Sequence, residues 1–553
     1  MKILLSSRLA PRMSTHVAPT LPFAACCLAL MAPRTFAAPS GDAAMPSSSS
    51  KGATTAHGAK AKTTSRQLSV EQFTPVDYLS SSKAAAKSTA SVVATERRVL
   101  SNGLTLVLRR DQTAPRIAIS LLVRASAADE TIETAGWRRL LAEAMLQASY
   151  KSGDARKEDN AQTSSERRAD AQARIFTGQQ LQRAADDVGG RIGATVGDDS
   201  IEFWVVGDSD QAPVLLDLLR TLVQRPRLEQ SDVDEARRRM MERAQNDGDD
   251  IATLATGALR AQLYRDAGGH SVAYALPSNG TPQSLEGLSQ RALVGFYNRF
   301  FQPSRMTVAM AGDLKAEAAR AVLEQISAPR NDVPVAPSLA PGFAPTGKND
   351  PVLIVRQLPT RAAWVFVSYR VAASNGADAP AVRVLSALLG EAPDSRLPRR
   401  LMGGVGFSDG RAGGAATASQ AAVSFSPRRF GGELVLFAQT SPTSVEAVKN
   451  AMLDEARKLR DAPPTQGELA HAKNFARGAW AVEREGLRER AFQAALAASL
   501  SPAPAFPAGT SAMPIPADSD WPARLNAVSP ADIRRVAQKY LDSYAVALIM
   551  PEE

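Results

Sequence analysis

Ile117-Ala-Ile-Ser-Leu-Leu-Val-Arg-Ala-Ser-Ala-Ala-Asp129 is an apolar run of strand length that dissolves into small and polar residues, and Val365-Phe-Val-Ser-Tyr-Arg-Val-Ala-Ala-Ser-Asn-Gly-Ala-Asp378 repeats its cadence far downstream. The echo extends outward. After the first copy, Gly136 to Met145 begins a helix, Gln179 to Val188 carries apolar residues at helical spacing, and strand Ile201–Val206 is followed by helix Pro213–Val223. After the second, strand Trp364–Arg370 leads to helix Ala379–Leu389, and strand Glu433–Ala438 to helix Val445–Leu459. Upstream, Arg98 to Leu108 reads as strand, Asn-Gly turn, strand. Self-similarity at this long separation predicts duplicated α+β domains rather than a short-period solenoid.

The ends of the chain read differently. Lys2, Arg8 and Arg12 precede the apolar stretch Leu21–Ala32, with small residues at Thr35 and Ala37, the pattern of a secretory signal over residues 1–38. That apolar stretch is too short for a stable bilayer span. Residues 39–90 are low-complexity, with Ser47-Ser-Ser-Ser50 and Ser80-Ser-Ser-Lys-Ala-Ala-Ala-Lys87, and read as a tether. The globular body then divides at a Pro- and Ala-rich bridge, giving an N-terminal domain over 91–326, a linker over 327–350 and a C-terminal domain over 351–553. Both cysteines, Cys26 and Cys27, fall in the leader, so the mature chain carries none. This suits an oxidising compartment, and the expected location is periplasmic or secreted.

The net charge of +9 on 553 residues invites a nucleic-acid reading. Residues 1–90 hold ten Lys/Arg and three acids; removing these from 65 and 56 leaves 55 bases and 53 acids in the body. Those bases are interleaved with acids, as in Glu235-Ala-Arg-Arg-Arg-Met-Met-Glu242, and no basic stripe with aromatics stands out. Nucleic acid is excluded as the expected partner.

Asn102-Gly-Leu-Thr-Leu-Val-Leu108, Gly136 opening an apolar helix, Phe296-Tyr-Asn-Arg-Phe-Phe-Gln-Pro-Ser-Arg-Met-Thr-Val-Ala-Met-Ala-Gly-Asp313 and, in the second half, Asp394-Ser-Arg-Leu397 stand in one order over residues 95 to 550. Together they resemble the insulinase/pitrilysin family of zinc metallopeptidases, of the mitochondrial processing peptidase type. The resemblance implies two homologous domains, each a mostly antiparallel sheet packed with helices, facing each other as a clamshell around a proteolytic chamber. It also implies an H-x-x-E-H motif on the first helix, where two histidines one turn apart bind zinc and the Glu polarises water.

Here that helix reads Gly136-Trp-Arg-Arg-Leu-Leu-Ala-Glu-Ala-Met145. One register puts Arg139, Ala142 and Glu143 on the His, Glu and His positions; a one-residue insertion puts Leu140, Glu143 and Ala144 there. Neither has a histidine. The body retains only His270 and His471, which lie far apart in sequence. Glu235 and Glu242 resemble the family's paired helical glutamates, the second of which is a zinc ligand. A lone vestigial carboxylate at Glu242 is a poor site for an ion that prefers N and S donors, and a solvated charged helix is the plainer expectation. The family's substrate-contacting Arg and Tyr are replaced by Met402 and Asp409, or in a shifted register by Arg400 and Phe407. The Gly403–Gly414 segment resembles a glycine-rich loop of noncatalytic processing-peptidase subunits. Tyr150 to Phe176 is a polar stretch expected to be a disordered insertion.

The expected protein is therefore a noncatalytic homologue without cofactor, partner to a zinc-bearing homologous subunit and handling peptides. Two alternatives remain open: a divergent zinc endopeptidase using Glu143 and Glu242, and a stand-alone peptide-binding or scaffold protein.

Overall fold

A computed structural model describes residues 95–151, 175–224, 226–247, 250–266, 269–313, 316–329, 352–403, 417–500 and 520–552. The two apolar runs that open the sequence are the central strands of two mixed sheets. The first sheet has the order β1-β2-β8-β3-β7-β6, with β1 Thr95–Val99, β2 Thr105–Arg110, β3 Arg116–Val123, β6 Arg191–Val196, β7 Ile201–Asp208 and β8 Met306–Gly312. The second has the order β9-β13-β10-β12-β11, with β9 Val352–Leu358, β10 Ala363–Val371, β11 Ala418–Ser426, β12 Gly432–Thr440 and β13 Ala545–Pro551. Omitting β1, the two match strand for strand. Each has one parallel pair, β2/β8 and β9/β13, and antiparallel pairs elsewhere. The expected α+β duplication is present.

Helices follow the same order in both halves. In the first come α1 Trp137–Met145, α2 Gly178–Asp187, α3 Ala212–Val223, α4 Gln230–Asp247, α5 Ile251–Leu263, α6 Pro282–Glu286, α7 Gln290–Phe300 and α8 Ala316–Leu323. In the second come α9 Ala379–Ser386, extended by a wider turn to Glu391, α10 Arg396–Leu401, α11 Val445–Asp461, α12 Gln466–Val482, α13 Leu487–Leu500, α14 Trp521–Ala527 and α15 Pro530–Tyr540. Alternation along each central strand separates two layers. Ile117, Ile119, Leu121 and Val123 enter the core beneath α1, α3, α4 and α7, as Val365, Val367 and Tyr369 do beneath α9, α11 and α15.

The opposite faces are covered by exchange. Helix α13, from the second half, lies on β3 and β8 of the first sheet, while α5, from the first half, lies on β13 and β10 of the second. Ala491, Ala494, Ala495 and Ala498 make the first contact, meeting Ala118, Ala309 and Ala311 on the sheet, and such small side chains allow close approach. No described helix is long and apolar enough to cross a membrane.

One expectation needs correction. The stretch from Tyr150 to Phe176 was expected to lack order, yet its ends pair: β4 Ser149–Lys151 runs antiparallel to β5 Ile175–Thr177, with Tyr150 opposite Phe176. Tyr150 is fully buried and its hydroxyl donates to the Met145 carbonyl, so an aromatic anchor ties this hairpin to the end of α1. Its polar composition hid that anchor. Residues 152–174 lie outside the described residues.

Candidate functional site

Helix α1 begins at Gly136, whose φ of +84° lies in the left-handed region. A Cβ there would also sit 2.6 Å from the backbone nitrogen of Gly280, so only glycine fits on both counts. The next turn is pinned from beneath. Arg138 is buried and pairs with the equally buried Glu130 at 3.1 Å, and the Glu130 carboxylate also accepts from the Arg138 amide at 2.9 Å. The Arg138 guanidinium reaches the carbonyls of Gly197 and Ala125 at 2.7 and 3.2 Å. Burial pushes the Glu130 carboxyl above its usual range although Arg138 opposes it.

Within this frame the structure places each residue of the degenerate motif. Leu140, Ala142 and Ala144 are buried in the core, and Arg139 is half-buried. Glu143 is 1% exposed and its carboxylate pairs with the guanidinium of Arg243 on α4. Val233, Ala236 and Met240 form the apolar stripe of α4, and Arg243 continues that stripe at the same spacing. Glu242, one position before it, is exposed, and Glu235 is engaged with Arg238 and with Arg239 at 2.9 Å. The α1–α4 contact thus brings Glu143 together with Arg243 and leaves both α4 glutamates aside.

A zinc ion does not fit this donor set. In either register the three motif positions supply one carboxylate and no imidazole, and that carboxylate already faces a cation that would repel a metal. Among the described residues no group of three His, Cys, Asp or Glu side chains could hold one. His270 is 80% exposed beside Asp266, and His471 on α12 reaches Asp394 at 2.8 Å. Of the second pair, Arg400 on α10 turns to Asp454 and Glu455 on α11, at 2.5 and 2.6 Å. Met402 is half-buried against the second core. Phe407, Asp409 and the Gly403–Gly414 loop beyond Gly403 lie outside the described residues.

The most elaborate polar arrangement joins the halves, and sequence reading missed it. Ser120 on β3 and Glu202 on β7 meet at 2.8 Å, and Arg488 of the exchanged helix α13 closes on Glu202 at 2.7 Å. In the second sheet Ser368 on β10 and Glu433 on β12 meet at 3.0 Å, and Arg260 of the exchanged helix α5 closes at 2.7 Å. The registers agree: Glu202 lies opposite Leu122, two residues from Ser120, and Glu433 opposite Arg370, two residues from Ser368. Arg428, 1% exposed, adds to the second set by bonding Glu433 at 3.0 Å, Tyr264 at 3.1 Å and Asp198 at 2.5 Å. Asp199 accepts from Tyr274 at 2.6 Å and from the Arg429 amide at 2.8 Å, stitching the same seam. A usable signal existed: a lone Glu inside each strongly apolar strand, Ile201-Glu-Phe-Trp and Gly432-Glu-Leu-Val, at equivalent places.

Two sheets of one topology that exchange helices, with no metal donor set among the described residues, define the class as a duplicated α+β protein. Comparison with known proteins sharpens this. Residues 287–475 match the family described as Peptidase M16 inactive domain. Similar solved structures include a protease from Helicobacter pylori (TM-score 0.66, 16% identity, covering 83% of this chain and 99% of that one). Another is a peptidase M16 inactive domain from Pseudomonas fluorescens (TM-score 0.66, 17% identity, covering 83% and 98%). A third, an M16-like peptidase from Alicyclobacillus acidocaldarius, gives a TM-score of 0.60 at 15% identity, covering 83% and 98%. At these identities the structural likeness speaks to fold. Among curated proteins no sequence matches significantly. The chain thus shares the fold of these M16-type structures over most of its length, and residues 287–475 are similar to the M16 inactive-domain family.

Proposed function

We propose that the chain is the noncatalytic partner of a zinc-bearing homologue in periplasmic peptide processing. The observation that carries this reading is the Glu143–Arg243 pair. Where an active peptidase would gather a metal, this chain has a guanidinium fixed against a buried carboxylate. The fold is otherwise whole, with both sheets, both exchanged helices and the polar seam between them. A chain that keeps such walls without the reacting centre is suited to shaping a shared chamber and binding peptide there. The secretory leader and the cysteine-free body support a location outside the cytoplasm.

Affinity capture of the tagged chain from native extract tests this. The expected outcome is stoichiometric recovery of a homologue with an intact H-x-x-E-H motif, and peptide cleavage by the pair but not by either chain alone. A lone monomer in extract, with no such companion, would overturn it. Peptides carried by that monomer would favour the stand-alone receptor instead.

A further inference from the structure

On the helix-covered face of the second sheet lies a cavity of about 540 Å³, between α11 and the Leu541–Tyr544 segment. Its floor includes Tyr369 of β10, which is 1% exposed. Among the described residues the Tyr369 hydroxyl has no hydrogen-bond partner, although its ring packs on Tyr544 at 5.7 Å. The hydroxyl is not sealed off: it opens onto the cavity, so a ligand seated there can complete the bond that the protein leaves unmade. Burial holds its phenol well above the usual range, so it stays protonated and able to donate.

The rest of the wall is also rich in donors. Arg400, Arg457 and Arg460 line the cavity together with one carboxylate, Asp454. Asp454 is already taken by Arg400 at 2.5 Å, Lys458 at 3.1 Å and Arg457. Glu455 is shared by Arg400 and Lys458, at 2.6 and 3.0 Å. Asp461 answers Arg457 at 3.1 Å, and Asp542 answers Arg460. These four acids balance the four bases, so net charge does not make the site. What distinguishes it is its spare donors, to which the Asn450 amide on the same wall adds a group that can donate or accept. Arg400 spends only Nη1 on its partners and Arg460 only Nη2. Each guanidinium has five N–H groups in all. The two tyrosine rings and Leu541 supply an apolar side.

We propose that this cavity binds a small organic oxyanion, a carboxylate or phosphate monoester carried on a flat apolar body. The oxygens would accept from the Tyr369 hydroxyl and the free N–H groups of Arg400 and Arg460, while the body stacks against Tyr544. The volume lies in the range usual for small-molecule sites. This site is separate from the α1–α4 contact, and its test does not depend on any partner subunit.

Calorimetric titration of the full chain with phenyl phosphate, benzoate and inorganic phosphate tests the site. Phenyl phosphate and benzoate are expected to bind saturably at one site per chain, with inorganic phosphate about tenfold weaker than phenyl phosphate for want of the stacked ring. Tyr369→Phe is expected to weaken both organic probes by about tenfold. Because the hydroxyl has no protein partner to lose, the variant should melt no lower than wild type, which separates loss of binding from misfolding. Arg460→Gln should weaken binding with Tyr369 intact. Failure of every probe to saturate, or Tyr369→Phe binding as tightly as wild type, would refute the site. Inorganic phosphate matching phenyl phosphate would refute the organic body.

Discussion

Glu202 and Glu433 occupy equivalent positions in the two sheets, each beside a buried serine and each met by an arginine from the other half's exchanged helix, yet their electrostatic settings differ. Glu202 has one guanidinium, that of Arg488, which also stacks on Trp204 at 4.5 Å. Burial there outweighs the partner, and the carboxyl is pushed above its usual range despite Arg488 and Ser120. Burial alone would raise Glu433 too, but Arg260 and Arg428 together bring it below. The second guanidinium, Arg428, also binds Asp198 of the first half, and Asp198 is held well below its usual range: burial opposes this, and Arg428 and Arg260 prevail. A duplicated scaffold has thus placed most of its charge on one side of the seam. The lesson is that shared topology preserved the position of the polar contact, and one added residue changed what that contact does.

Removing the added residue should have the largest effect. Arg428→Met leaves Glu433 with Arg260 alone and strips Asp198 of its principal partner, and breaking a buried pair of this kind costs about 3–5 kcal/mol. Denaturant unfolding at neutral pH measures it, and a loss within error of zero would show the seam to be ornamental.

The paired substitutions Arg488→Ala and Arg260→Ala come next and address the asymmetry itself. Arg488→Ala leaves Glu202 with only Ser120, at a cost of about 2–3 kcal/mol, whereas Arg260→Ala leaves Glu433 with Arg428 and should cost about 1 kcal/mol. Their pH dependence should share a sign but fall in different windows. A carboxyl whose folded value is raised favours the folded state most below the ordinary carboxylate range, and that contribution is lost as pH rises through the raised value. The defect of Arg488→Ala should therefore shrink on acidification. That of Arg260→Ala should persist to lower pH, because Glu433 is held below its usual range in the intact protein, and shrink only as Glu433 in turn protonates. Equal costs with equal pH profiles would erase the proposed difference.

A smaller effect belongs to the second half alone. Asp378, at the start of α9, accepts from Arg535 at 2.6 Å and from Lys539 and Tyr540 at 2.8 Å. Burial would raise it, but these bonds hold it at about 2. Its folded value is depressed, so its contribution is complete above about pH 4 and is lost as pH falls toward 2. Asp378→Asn should lower stability at neutral pH by less than the seam variants do and flatten the acid limb of the stability curve; an unchanged acid limb would assign that limb to other carboxylates.

Much of the fold was legible because its signals are local. The apolar runs at Ile117 and Val365 and the helices after them follow strand and helix periodicity, and their repetition exposed the duplication. The absence of imidazoles from the motif helix was equally plain. What was hidden depends on contacts between distant segments. Arg243 looks like one more base in a charged helix until Val233, Ala236 and Met240 are seen to share its face against α1. Arg428 stands in an ordinary turn, and only the return of the second half onto the first makes it the most enclosed guanidinium in the described chain. Helix exchange itself has no local signature, since α5 and α13 carry apolar faces that would suit either sheet. Tyr150 was obscured for a related reason: the polar residues after it mask an anchor that meets its partner across a hairpin.

The central claim is that α1 and α4 hold an ion pair in place of a metal site. Its most direct test is the zinc content of the full chain, purified without chelator, loaded with one equivalent of zinc and desalted. Zinc far below one atom per chain is expected, with no difference between wild type and Glu242→Ala. One tightly held zinc per chain, lost in Glu242→Ala, would contradict it and restore the divergent peptidase.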